Sequence, residues 1–250
     1  MVACGERLLL DTCRNPLESS KVHSIPIACA LLLGFSAAAA QQPGSESLSP
    51  FQRAKAEALL DRKLPCLGCH TVGAQGGRIG PDLSNVGARL DRARLRAQIE
   101  APTGLMPRIS LSPATLDLLV AYLAEQRGPG ARPAGEPSIA RAPETARSPA
   151  ERLYHRHCAA CHGAKGRGDG WNAPYLDRQP TRHADAGVMG ARTDDRLFDA
   201  IYAGSAIMGG SARMPPFGAT LTAEEIRLLV GHIRRLCRCR EPAWASDGTR

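Results

Sequence analysis

Aromatic side chains are scarce: Phe, Trp and Tyr together account for 4% of the 250 residues. The chain's own rings can therefore fill little of any core, and 25 glycines and 19 prolines break it at short intervals. No segment alternates apolar and polar residues over the roughly four to eight positions of a half-buried strand, which argues against a sandwich or barrel. There is no block of Lys and Arg with interleaved aromatics, so a nucleic-acid partner is not expected. The one glycine-rich run, Gly163 to Gly170, lacks the Lys-Ser/Thr ending of a phosphate-binding loop. Nothing in the chain suggests a nucleophile with its base, or an acid/base pair beyond ordinary surface residues.

What is present begins with positive charge. The formal net charge is +8. Residues 1–40 hold three basic side chains (Arg7, Arg14, Lys21) against three acidic ones (Glu6, Asp11, Glu18), so their removal leaves the balance unchanged. Such an excess keeps a protein soluble, and it also steers it toward acidic partner surfaces.

After Lys21 the apolar run Ile25 to Phe35 passes into Ser36 and four alanines before Gln41 turns polar. Positive charge, a short apolar stretch and an A-x-A site are the order of a secretory signal, with cleavage expected after Ala40 and a periplasmic location implied. The run is shorter than the roughly 20 residues of a membrane-spanning helix and contains Pro26, which disfavours an uncleaved anchor. The lead before Lys21 is long for such a signal, which suggests a translation start downstream of Met1.

The remainder divides at residues 127–147, where four prolines and three glycines occur without an aromatic, the composition of a semi-rigid linker. The expected units are a first domain over 41–126 and a second over 148–250 that ends in a short tail. The same order of signals occurs in both. Ser49-Pro50 opens a helix running through Phe51 to Lys63, and Ser148-Pro149, boxed with Glu151, opens its counterpart. Closing helices follow Ser112-Pro113, with Leu116, Leu119, Val120 and Leu123 on one face, and Thr222, boxed with Glu225, with Ile226, Leu229, Ile233 and Leu236. Asp91 to Glu100 and Thr193 to Tyr202 read as middle helices. The expected class is all-α with long Gly/Pro loops, two tandem domains joined by the linker.

Each opening helix leads into a C-x-x-C-H motif: Cys66-Leu67-Gly68-Cys69-His70 and Cys158-Ala159-Ala160-Cys161-His162. One helical turn places two thiols where they can form thioethers with the two vinyl groups of a porphyrin, and the following histidine then stands over the iron. Two covalently bound haems c are expected, and they would supply the ring mass that the sequence lacks. The alternative is zinc held by the paired cysteines, which would need neither the adjacent histidines nor the methionines.

A six-coordinate iron needs a second axial ligand, and Met opposite His raises the potential in cytochromes of this kind. Met106-Pro107 and Met214-Pro215 both precede the closing helix of their half, which nominates Met106 and Met214 as iron ligands opposite His70 and His162. Met189, Met208 and His183 are rivals in the second half. Cys237 and Cys239 are left over. A local disulfide, a free or intermolecular thiol and an iron ligand are all open for them, while His155, His157 and His232 read as ordinary helix residues.

Residues 50–126 and 148–237 resemble class I c-type cytochrome domains, arranged as in two-domain dihaem cytochromes c. The resemblance implies haems packed among a few helices, with a proline carbonyl accepting the ring N–H of the proximal histidine. Ile79-Gly80-Pro81-Asp82-Leu83 matches that element, and Ala173-Pro174-Tyr175-Leu176 matches it less fully, nominating Pro81 and Pro174. The function implied is electron carriage between redox proteins with acidic docking surfaces, with possible peripheral association with a membrane complex, rather than substrate chemistry. Alternatives are a dihaem peroxidase or sulfur-compound dehydrogenase with one labile ligand, or the electron-accepting subunit of a dehydrogenase.

Overall fold

Serine, threonine and aspartate side chains start the longer helices of this chain, each accepting a hydrogen bond from a backbone N–H that the helix itself cannot use. In the computed structural model, which describes residues 47–128 and 148–246, Ser49 caps α1 (Pro50–Arg62) in a reciprocal box with Gln52. The first attachment motif follows as the single turn α2 (Cys66–Cys69). Thr71–Val72 (β1) and Gln75–Gly76 (β2) then form an antiparallel hairpin. Two residues per strand are too few for any alternation to register in sequence. The tight reversal uses Gly73 and Gly76, both at positive φ.

The first half continues with α3 (Val86–Arg89), α4 (Arg92–Glu100, capped by Asp91) and α5 (Pro113–Ala124, capped by Ser112). The second half repeats the opening with α6 (Pro149–His157, capped by Ser148) and the one-turn α7 (Ala159–His162). A 3-10 turn at Ala173–Tyr175 leads to α8 (Ala186–Gly190) and α9 (Asp194–Ala203, capped by Thr193). A second 3-10 turn at Ser205–Met208 precedes α10 (Ala223–Cys237) and α11 (Ala243–Ser246). Export signal and linker, residues 1–40 and all of 127–147 beyond Gly128, lie outside the described residues. Among the described residues no helix is long and apolar enough to cross a membrane.

Each half has its own hydrophobic core. In the first, α5 packs on α1, α3 and α4 and contributes Leu116, Leu119, Val120 and Leu123. In the second, α10 packs on α6, α8 and α9, burying Ile226, Leu229 and Ile233. Thr222 Oγ1 accepts from the Glu225 N–H while the Glu225 carboxylate accepts from the Thr222 N–H, closing both ends of the box. Thr222→Ala is expected to cost about 1 kcal/mol, read as a lower melting temperature.

Cys237 and Cys239 form a disulfide. Arg238 lies between them in the left-handed region, φ 53°, where it ends α10 and lets the chain double back. Both sulfurs are thereby used, so neither cysteine is an iron ligand.

Candidate haem-attachment site

In the first motif His70 leaves α2 on an extended backbone, and its Nδ1 donates to the Pro81 carbonyl at 2.8 Å. The approach requires Gly80, where a Cβ would collide with the imidazole ring. With Nδ1 so engaged, Nε2 carries the free lone pair, the arrangement that suits a metal ligand. Burial lowers the pKa of the His70 ring, and the bond to Pro81 opposes that shift in part.

The second motif begins where α6 ends at Cys158, and His162 is buried at the last position of α7. Its Nδ1 donates to the carbonyl of Thr181 at 2.8 Å. Pro174, the proline nominated for this role, lies instead in the exposed 3-10 turn. The cause is loop length: 11 positions separate His70 from its acceptor, and 19 separate His162 from Thr181. The glycine-rich run and the 3-10 turn fill the difference, so the acceptor lies beyond Pro174 and is the carbonyl of a threonine rather than of a proline.

Cys158, Cys161 and His162 line a cavity with Met189, Met208 and Met214. Its apolar wall includes Leu197, Ile201, Phe217 and Ile233, and Arg178, Arg192 and Arg196 also line it. The residues present fit a haem: an apolar wall for a flat macrocycle, cations for its carboxylates, a cysteine pair for its vinyl groups and an imidazole with Nε2 free. The cavity volume is about 260 Å³.

His183 also lines this cavity, but its ring stacks on that of His162, 4.0 Å between centroids and 13° between planes. Its Nδ1 pairs with the Tyr154 hydroxyl at 3.0 Å. A ring lying flat against His162 does not face it across an iron, so His183 supports the proximal side. Met106 is half-buried in the irregular stretch before α5, next to the buried Pro107.

The four motif cysteines are unpaired. Burial pushes Cys66 up to about 11 and Cys69 and Cys158 up to about 12, and it raises Cys161 as well. Among the described residues no three His, Cys, Asp or Glu side chains converge as a metal-ion site.

His157 packs edge-on against Phe217. Burial, helped by Arg156 and opposed by Glu225, lowers its pKa from 6.5 to about 4. An unfolded chain takes up this proton first as pH falls, so the contribution is full above pH 6.5 and is lost toward about pH 4. His157→Gln is expected to flatten the decline of melting temperature across that window.

Residues without any motif join the halves. Asn172, fully buried, donates through Nδ2 to the Gly68 carbonyl at 2.9 Å and to Cys161 Sγ at 3.3 Å, and its Oδ1 accepts from the Arg78 N–H at 2.7 Å. Arg213, beside Met214, reaches the Leu60 carbonyl at 3.1 Å, Asp61 at 3.0 Å and Asp177 at 3.4 Å. The Arg78 guanidinium lies over the Tyr175 ring, 3.7 Å from its centroid. No sequence signal marked Asn172 or Arg213, because their partners lie far away in the chain.

Comparison with known proteins follows the same division. The family model described as cytochrome c oxidase, cbb3-type, subunit III matches residues 53–123 and 145–233. Among solved structures, the chain is similar to the KustC0563 c-type cytochrome, at 28% identity over 35% of this chain and 95% of that one, with a TM-score of 0.28. It is also similar to a chain of the Kuenenia stuttgartiensis reducing HAO-like protein complex Kustc0457/Kustc0458. That likeness has 17% identity over 68% of this chain and 79% of that one, with a TM-score of 0.30. No curated protein matches the chain.

Proposed function

The chain belongs to the family of cytochrome c oxidase, cbb3-type, subunit III, and from that membership we propose that it is an exported, periplasmic dihaem cytochrome c that relays electrons between redox proteins. As a c-type cytochrome it holds haem c covalently and takes part in electron transfer. The finer reading assigns one haem to each half, through Cys66 and Cys69 and through Cys158 and Cys161. His70 and His162 are the proximal ligands, and Met106 and Met214 the distal ones.

The observation that carries this reading is the repeated arrangement of a one-turn cysteine pair followed by a histidine whose Nδ1 is tied to a backbone carbonyl. When bound, haem supplies a one-electron ferric/ferrous couple whose potential follows axial ligation and burial. The chain's own residues do the positioning. Pro81 and Thr181 fix the imidazole tautomers and ring directions, and His183 backs the His162 ring. The apolar wall of Leu197, Ile201 and Phe217 excludes water from the second site, and Arg178, Arg192 and Arg196 supply charges for carboxylates. Acidic docking surfaces on the donor or acceptor would complement the basic excess.

An optical redox titration of the purified holoprotein tests the proposal. Two one-electron transitions, each ferric form showing a methionine-to-iron band, support it, and carbon monoxide binding at either ferrous haem near neutral pH counts against closed His/Met sites. The family description names an oxidase subunit, and this supports a second reading in which the chain stays bound to a larger complex. Size-exclusion of native extract, followed by haem absorbance, separates a free carrier from such a subunit.

A further inference from the structure

The two attachment motifs are bridged by one buried side chain, Asn172. The Asn172 carboxamide engages both: its Nδ2 donates to the Gly68 carbonyl inside the first motif and to Cys161 Sγ in the second, while its Oδ1 accepts from the Arg78 N–H. Asn172 is fully buried, and its bond to the Gly68 carbonyl is shielded from competing water. The surroundings leave no slack. A Cβ on Gly68 would collide with the Arg213 carbonyl, and one on Gly77 would crowd the Asn172 carboxamide. Arg213 fastens the same seam by bonding the Leu60 carbonyl and Asp61 across it.

We propose that Asn172 is a positioning residue for electron exchange between the two haems, tying the Gly68 backbone of the first attachment motif to Cys161 of the second. The inference rests on the dihaem reading above. The step moves one electron: one iron goes from ferrous to ferric, the other from ferric to ferrous, and no bond or proton changes place. The Asn172 amide lies between the two motifs, bonded to the Gly68 carbonyl of the first and to Cys161 Sγ of the second, and a seam bonded this way keeps their separation fixed.

The test uses the full-length holoprotein and its Asn172→Leu variant, which preserves bulk and removes all three bonds. Proton NMR of half-reduced samples reads exchange between the haems through their methyl resonances. The expected wild-type result is one resonance per haem methyl, averaged between its ferric and ferrous positions, and the expected variant result is separate ferric and ferrous resonances for each methyl, with haem content unchanged at two. Equally averaged resonances in the variant overturn the assignment. A wild-type protein carrying fewer than two haems defeats the dihaem reading instead.

If the variant does not fold, the wild type alone decides, with asparagine side chains labelled with nitrogen-15. The Asn172 amide protons are expected to exchange slowly with solvent and to shift as each of the two sites is titrated. Rapid solvent exchange, or a response to one site only, overturns the proposal.

Discussion

Replacing Cys158 and Cys161 together by serine is expected to yield a protein lighter by one covalently bound haem, with about half the haem absorbance per chain remaining from the first motif. Serine matches the size of cysteine but forms no thioether, and His162 alone would hold iron only reversibly. The second core should suffer as well, because α6, α9 and α10 surround the cavity that these cysteines and His162 line. The same exchange at Cys66 and Cys69 is expected to remove the other haem and spare the second. Thiol chemistry adds a constraint on timing. Thiols raised to about 11 or 12 by burial are protonated near neutral pH, and the thiolate is the reactive form. Haem added to the folded apoprotein is therefore expected to remain extractable, while haem supplied during export is not.

The second large effect is expected at Arg213. Its side chain is 6% exposed and bridges Asp61 and Asp177, each about half exposed. Breaking a fully buried ion pair by removing one partner costs roughly 3–5 kcal/mol, and the solvated carboxylates here reduce that, so Arg213→Ala should cost about 2–3 kcal/mol. The buried bond to the Leu60 carbonyl is lost in the same change. Arg213→Lys should recover only part, because one ammonium cannot reproduce a guanidinium fork aimed at three acceptors. Denaturant unfolding of the holoprotein measures this through the transition midpoint. The Arg96–Asp117 pair is the comparison: it lies on the surface, and Arg96→Ala should leave the midpoint nearly unchanged. Because Met214 follows Arg213 directly, the methionine-to-iron band of the second haem should weaken in Arg213→Ala but not in Arg96→Ala.

The helix starts were legible in sequence because their cause is local. A Ser, Thr or Asp before a helix, often with proline next, satisfies orphaned N–H groups wherever the segment ends up; Ser49, Ser112, Ser148 and Thr222 cap as expected, and Asp91 and Thr193, read as the first residues of the middle helices, prove to be their caps. The cysteine pairs and their histidines were legible for the same reason, since one helical turn fixes their geometry. The carbonyl accepting from His162 was not. Thr181 is reached through a glycine-rich loop whose path depends on packing, and glycines at positive φ, Gly163, Gly166 and Gly168, turn the chain in ways spacing cannot convey. The seam between the halves was invisible for a related reason. The Asn172 and Arg213 side chains bond residues about 100 and 150 positions away, and neither sits in a periodic pattern. The choice between a disulfide and free thiols at Cys237 and Cys239 turned on one backbone angle, at Arg238.

The most direct test is the intact mass of the purified protein, made in a host that exports it and attaches haem, before and after trypsin digestion. The account predicts a chain carrying two haem masses, one on the peptide containing Cys66 and Cys69 and the other on the peptide containing Cys158 and Cys161. A mature chain with one haem or none, or with haem on any other residue, contradicts it.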